Sequence, residues 1–228
     1  MKKTYGFIFA DDMEFKPFAE TAAAKGGVLS ESAGMEVCTL ELDKATVVAI
    51  HGGVGKVYAA IAAMVLIKDY KVDYLMSAGL SGAISGQKKG DVVAGTEYVE
   101  CDFDVRAFGY KLGEKTDGTY LHTGSPELVA AATAIPGMKS GRLGTGDFFL
   151  TDPAKKHEYK DEFGIVAFDM ESAAIASACD KYGVPFLSIR KISDDADDNA
   201  VESYRELNDL AETALTELLL QTLENMAD

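Results

Sequence analysis

A chain of 228 residues, 47% hydrophobic and without a linker-like stretch, is long enough for one large, well-buried domain, and residues 1–228 are read as such. A net charge of -15 argues against a nucleic-acid partner, because binding a phosphate backbone needs clustered Lys and Arg. Only about five apolar residues precede Asp11 and Asp12, no run approaches the roughly 20 of a membrane span, and Cys38, Cys101 and Cys179 form no C-x-x-C pair, so a soluble, cytoplasmic, membrane-free protein with unpaired thiols is expected.

In chain order, Tyr5 to Ala10 reads as a strand and Met13 to Ala24 as a helix. Met35 to Leu42 and Ala45 to Ile50 form a strand pair around an Asp43-Lys44 turn. Gly55 to Tyr70 is a helix whose apolar face is predicted at Val57, Ile61, Met64, Val65 and Ile67. Tyr74 to Ser77 and Asp91 to Val99 are strands, and Pro126 to Thr133 is a helix with Ser125 as N-cap and Pro at its first position. Ser140 to Leu143, Ile165 to Phe168 and Val184 to Ile192 supply further strands. Ser172 to Tyr182 is a helix stopped by Gly183 and Pro185, and one last helix is predicted from Tyr204 to Met226, its stripe starting at Leu207. The alternation predicts an α/β fold: a three-layer α/β/α arrangement around a mixed, mostly parallel sheet.

Two stretches carry chemistry. Phe168-Asp169-Met170-Glu171-Ser172 and Ile192-Ser193-Asp194-Asp195-Ala196-Asp197 each follow a buried strand, where an α/β sheet opens its ligand crevice. Either acid alone reads as a helix cap; the two together point to an enzyme. His51-Gly52-Gly53-Val54-Gly55-Lys56 lies between strand and helix but fits neither the P-loop nor G-x-G-x-x-G, so a tight turn and a binding loop both stand. Gly79-Leu80-Ser81-Gly82-Ala83 is a second glycine loop at a strand end, equally open.

The only arginines are Arg106, Arg142, Arg190 and Arg205, none within a glycine loop, so these loops suit a neutral ligand such as a ribose better than a phosphate. The Asp194, Asp195, Asp197 and Asp198 cluster lacks the Gly and terminal Glu of a calcium loop and has no adjacent His, and no metal is expected. His51, His122 and His157 have no partner identifiable by spacing. Glu14, taken by itself, reads as a first-turn acid favoured by the helix dipole.

Together the pieces resemble the purine nucleoside phosphorylase/uridine phosphorylase superfamily, and most closely its 5′-methylthioadenosine/S-adenosylhomocysteine nucleosidases. The resemblance runs from Gly6 to the last helix. It is carried by Gly53-Val54-Gly55-Lys56, Ala107-Phe108-Gly109-Tyr110, Thr145-Gly146-Asp147-Phe148-Phe149, Asp169-Met170-Glu171 and Arg190-Lys191-Ile192-Ser193-Asp194. It implies cofactor-free hydrolysis of an N-glycosidic bond, with Asp194 as the acid protonating the purine and Glu14 as the group activating water. It implies Glu171 on the ribose hydroxyls, Met170 against the sugar, Phe149 stacked on the base and the Leu150 backbone on its edge. Asp169, Ser193, Val54, Gly82, Ala10 and Tyr204 complete the implied substrate site. Val105 and Phe108 match residues that reach a partner subunit's site, implying a homodimer.

The chemistry agrees from below: an oxocarbenium-like sugar needs a protonated leaving group and an activated water, and a crevice raises the acid's pKa. Three positions depart from the family pattern: Leu80 replaces a small polar residue, Asp11 an apolar one beside the 5′ tail, and Tyr204 a Phe. They bear on the 5′-substituent, keeping a nucleosidase for another purine nucleoside (futalosine-type) as an alternative. A phosphate-dependent phosphorylase and a non-catalytic nucleoside-binding protein are the other readings.

Overall fold

The computed structural model describes residues 2–206 and 210–226. Its strands are β1 (Lys3–Phe9), β2 (Val28–Ser32), β3 (Met35–Glu41), β4 (Ala45–His51), β5 (Tyr74–Ala83), β6 (Val92–Glu100), β7 (His122–Thr123), β8 (Met138–Thr145), β9 (Ala167–Asp169) and β10 (Phe186–Asp194). Its helices are α1 (Asp12–Ala23), α2 (Lys56–Lys68), α3 (Pro126–Thr133), α4 (Pro153–Phe163), α5 (Ser172–Tyr182), α6 (Ala200–Arg205) and α7 (Leu210–Met226).

The strands join in one mixed sheet in the order β10-β6-β8-β9-β5-β1-β4-β3-β2, with β7 beside β6. The β1–β4, β1–β5, β5–β10, β6–β8 and β8–β9 pairings are parallel. Because β10 also pairs with β5, the five strands β5, β10, β6, β8 and β9 close into a ring. Closure brings the carboxyl ends of β5, β9 and β10 together, and β1 lies beside β5.

Side-chain alternation sorts the core into layers. Ile8, Val48, Ile50 and Leu75 pack on one face with residues of α2 and α5. Phe7, Phe9, Val47 and Met76 pack on the other with residues of α1, α3 and α7. A third cluster, including Tyr159 and Phe163 of α4, covers the rim beside Phe168. This is the three-layer α/β/α architecture. All three cysteines are buried and free, and no described helix is long and apolar enough to cross a membrane.

Several sequence expectations need correction. In α2 the predicted face is right only in part: Val65 and Ile67 are buried, but Val57 is 68% and Ile61 46% exposed, and Ala59, Ala62, Ala63 and Leu66 are buried instead. Its buried alanines are set against Ala173, Ala174 and Ala176 of α5 in the same cluster. Small side chains let two helices approach closely, and apolar periodicity cannot rank two apolar faces. Gly79 to Ala83 is not a loop but the continuation of β5. The last helix is two, α6 and α7; Leu207, where the predicted stripe starts, lies outside the described residues. The short strands β2 and β7 and the charged helix α4 were not predicted. Of α4's eleven residues only Tyr159 and Phe163 are buried, which leaves little apolar periodicity to detect.

Candidate active site

The carboxyl ends of β1, β5, β9 and β10, with the segment after β8, surround a cavity of about 380 Å³. Its wall includes Ala10, Asp11, Glu14, Val54, Gly82, Phe149, Leu150, Asp169, Met170, Glu171, Ser193, Asp194 and Tyr204. All fourteen residues singled out from the sequence as site residues therefore meet there except Val105 and Phe108. Val105 precedes, and Phe108 ends, a 3-10 turn outside the cavity, and Phe108 is 80% exposed.

Glu14 is delivered by the start of α1. Asp11 caps that helix, its Oδ1 accepting the Glu14 N–H at 3.0 Å. The Glu14 side chain turns inward and is 5% exposed; its Oε2 accepts from the Ala10 N–H (2.9 Å) and its Oε1 from the Leu80 N–H (3.1 Å). The first-turn position is as the sequence suggests, but the carboxylate faces the cavity rather than solvent. Burial, then the charge of Asp11, pushes its carboxyl up to about 8, against the pull of Arg190 and the Ala10 N–H.

Asp194 ends β10 and is 2% exposed. It arrives through a bulge: Ile192 stands opposite Ser81 and Asp194 opposite Gly82, so Ser193 is an extra residue. Ser193 Oγ donates to Asp194 Oδ2 (2.5 Å) and the Ala196 N–H to Oδ1 (2.8 Å). Burial raises its carboxyl above the usual carboxylate range, although these two donors favour the charged form. Gly82 leaves room for it; a Cβ there would stand 3.0 Å from Asp194 Oδ1.

Asp169 and Glu171 follow β9 and have different tasks. Asp169 Oδ1 accepts from Thr145 Oγ1 (2.7 Å) and from the Glu171 and Ser172 N–H groups (both 3.1 Å), so it organises the start of α5. Its Oδ2 meets Arg190 Nε at 2.9 Å and also accepts from the Ser172 hydroxyl. Glu171 Oε1 accepts from the Gly55 N–H (3.0 Å), and its Oε2 lies 3.6 Å from Arg190 Nη2. Burial raises the Glu171 carboxyl to about 6, with Arg190 opposing the shift.

Arg190 is the residue that sequence reasoning missed. It is fully buried beneath Gly79, where an added Cβ would come within 2.2 Å of its Nη1 and 2.6 Å of Glu14 Oε1. The available signal was a lone arginine inside an apolar strand, since such a charge is buried only when paired. Ser81, Phe148, Phe168, Val201 and Arg205 also line the cavity without having been predicted.

Of the two glycine stretches, the first is a turn that binds protein rather than an open phosphate cradle. Gly53 and Gly55 take φ of 93° and 96°, which favour glycine. Lys56 Nζ is engaged by Glu100 (3.1 Å) and Asp102 (2.7 Å), and its N–H donates to Asp147 Oδ1 (2.7 Å), tying this turn to the Phe148–Phe149 segment. The one group of three ligand-type residues drawn together among the described residues is Asp12, Glu36 and His51, outside the cavity; Asp12 is also paired with Lys16 at 2.9 Å. The histidines have partners that spacing did not reveal, as His122 Nδ1 meets Asp180 Oδ2 at 2.5 Å.

The cavity thus holds two buried carboxyls that burial pushes towards the protonated form, Asp194 beside the Ser193 hydroxyl and Glu14 held by the Ala10 and Leu80 N–H groups. A third acid sits against an arginine, and the aromatic and apolar walls suit a flat base. The phosphorylase superfamily model matches residues 4–224. A 5′-methylthioadenosine/S-adenosylhomocysteine nucleosidase of Actinobacillus succinogenes is 34% identical over 82% of this chain and 84% of its own. Among solved structures, a nucleosidase of the same name from Colwellia psychrerythraea, in complex with adenine, is 30% identical with a TM-score of 0.88, covering 99% of this chain and 96% of its own. A futalosine hydrolase mutant of Helicobacter pylori shares the fold at 23% identity, TM-score 0.92, covering 97% and 99%. With a family match spanning nearly its whole length, the chain belongs to the phosphorylase superfamily.

Proposed function

We propose that the protein hydrolyses the N-glycosidic bond of 5′-methylthioadenosine and S-adenosylhomocysteine, releasing adenine and the 5-thio-substituted ribose. The observation that carries this reading is the pair of buried acids in one cavity: Asp194, raised by burial, and Glu14, held by the Ala10 and Leu80 N–H groups. Asp194 gives its proton to the adenine as the C–N bond breaks, so that the base leaves neutral. Glu14 in its charged form takes a proton from the water that attacks the sugar carbon. Glu171 accepts from the ribose hydroxyls, Met170 lies along the sugar and Phe149 stacks on the base. The relatives named as nucleosidases support the substrate class.

Water rather than phosphate is the acceptor in this reading. Arg190, buried behind the cavity wall, is already matched by Asp169 and Glu171, and Lys56 by Glu100 and Asp102. A phosphate at either of these two cations would have to displace a carboxylate. Residues 1–228 act as one domain in a cytoplasmic homodimer. The exposed Val57, Tyr58 and Ile61 of α2 and the exposed Phe108 supply apolar surface for the partner contact.

The test is mass spectrometry of purified protein with methylthioadenosine in buffer with and without phosphate. Adenine and free methylthioribose in phosphate-free buffer are expected, and a sugar 1-phosphate formed only with phosphate would replace hydrolysis by phosphorolysis. Asp194→Asn should lower turnover by at least ~100-fold, the contribution of a positioned general acid, while still binding nucleoside.

A further inference from the structure

Charge at one part of the cavity wall is unexplained by cleavage. Asp11 lines the cavity from the β1–α1 junction, and Arg205 lines it from the end of α6. Asp11 spends Oδ1 on the helix cap, but its Oδ2 stands 3.5 Å from the Tyr204 hydroxyl, at the limit of a hydrogen bond. A carboxylate has about four acceptor sites, so Asp11 keeps capacity for a donor brought by a ligand. Arg205 follows Tyr204 directly and enters no ion pair among the described residues. An acid and a base therefore both line the wall, Asp11 beside the Tyr204 hydroxyl and Arg205 next to Tyr204 along the chain, and Phe149, Val201 and Leu80 give the same wall apolar surface.

We infer that Asp11 and Arg205 form a clamp for a zwitterionic 5′ tail, Asp11 taking an ammonium and Arg205 a carboxylate, so that this chain favours an amino-acid-bearing thioadenosine over the methylthio one. The inference rests on the nucleosidase reading above and adds a preference to it. A methyl tail engages neither charge. A tail with a carboxylate alone engages Arg205 but meets repulsion from Asp11. Opposite charges at two fixed points read how the two groups are arranged at the end of the tail as well as its net charge.

The experiment compares kcat/KM for four substrates: S-adenosylhomocysteine, methylthioadenosine, 5′-(3-aminopropylthio)adenosine and 5′-(3-carboxypropylthio)adenosine. The variants are Asp11→Asn and Arg205→Gln; Asn caps a helix as well as Asp does, so α1 is retained. Ratios to methylthioadenosine are read, because they cancel any common change in the cleavage step. Asp11→Asn should lower the ratio for the two ammonium-bearing substrates about fivefold, and Arg205→Gln should do the same for the two carboxylate-bearing ones, both losses shrinking in high salt. Equal scaling of all four substrates would overturn the clamp and leave Asp11 as a helix cap only, with hydrolysis intact. Absence of adenine from every substrate would overturn the nucleosidase reading and the clamp with it.

Discussion

Asp11 and Glu14 are joined by one bond and opposed by their charges. The Asp11 carboxylate accepts the Glu14 N–H at 3.0 Å, and the same carboxylate is the second-largest reason, after burial, that the Glu14 carboxyl is raised to about 8. A base must be charged to act, so hydrolysis should fall as the pH drops below about 8. Replacing Asp11 with Asn keeps the cap and removes the opposing charge. The acid limb of the kcat/KM profile for methylthioadenosine should then move to lower pH; a limb that stays in place would mean that it belongs to another group.

Glu14 also makes stability depend on pH. Its carboxyl is raised in the folded protein, so folding favours the protonated form. Stability from this site is complete at or below the ordinary carboxylate range and drains away as pH rises towards about 8. Glu14→Gln cannot ionise and lacks that slope. Its urea midpoint relative to the wild type should climb between pH 5 and pH 8, while its turnover is lost. Parallel midpoints across this range would show that Glu14 is charged throughout.

Gly79 is where space decides. A methyl group there would overlap Arg190 Nη1 and Glu14 Oε1 at 2.2 and 2.6 Å. Arg190 is pinned by two carboxylates, so Glu14 or the β5 backbone has to shift. Gly79→Ala should cost ~1–3 kcal/mol of stability, as overpacked cores do, and reduce kcat by more than tenfold with the circular dichroism spectrum preserved. Wild-type turnover would show that the site relaxes freely.

Arg190 should be the most damaging single position. Arg190→Met leaves Asp169 and Glu171 buried without their counter-charge, and breaking such a group costs ~3–5 kcal/mol. The remaining Glu171 carboxyl loses the influence that holds it down and protonates more readily. The stability loss, read by urea unfolding, should therefore be smaller at pH 5 than at pH 8. A loss independent of pH would assign the defect to packing alone.

What the sequence disclosed and what it concealed divide along physical lines. Helices α3 and α5 matched their predicted spans because Ser125-Pro126 and Gly183 print their ends in the chain. The acids Asp169, Glu171 and Asp194 stood out because they follow apolar runs. Glu14 did not, since a first-turn acid has the same sequence signature whether it faces water or a cavity. The direction of α2 was hidden for a related reason: both of its faces are apolar, and only the alanines of α5 decide between them. Arg190 required knowing that β10 lies between β5 and β6, a relationship between strands far apart in the chain.

The bulge at Ser193 makes the direction of one side chain a matter of arithmetic. With strict alternation Ser193 would stand beside Gly82, and Asp194 beside Ala83, whose methyl group belongs to the apolar core. If β10 paired here residue for residue, without the bulge, the acid would be carried past Gly82 and turned away from the cavity. The proton assigned to adenine thus depends on where this strand places its one extra residue as strictly as on the presence of an aspartate.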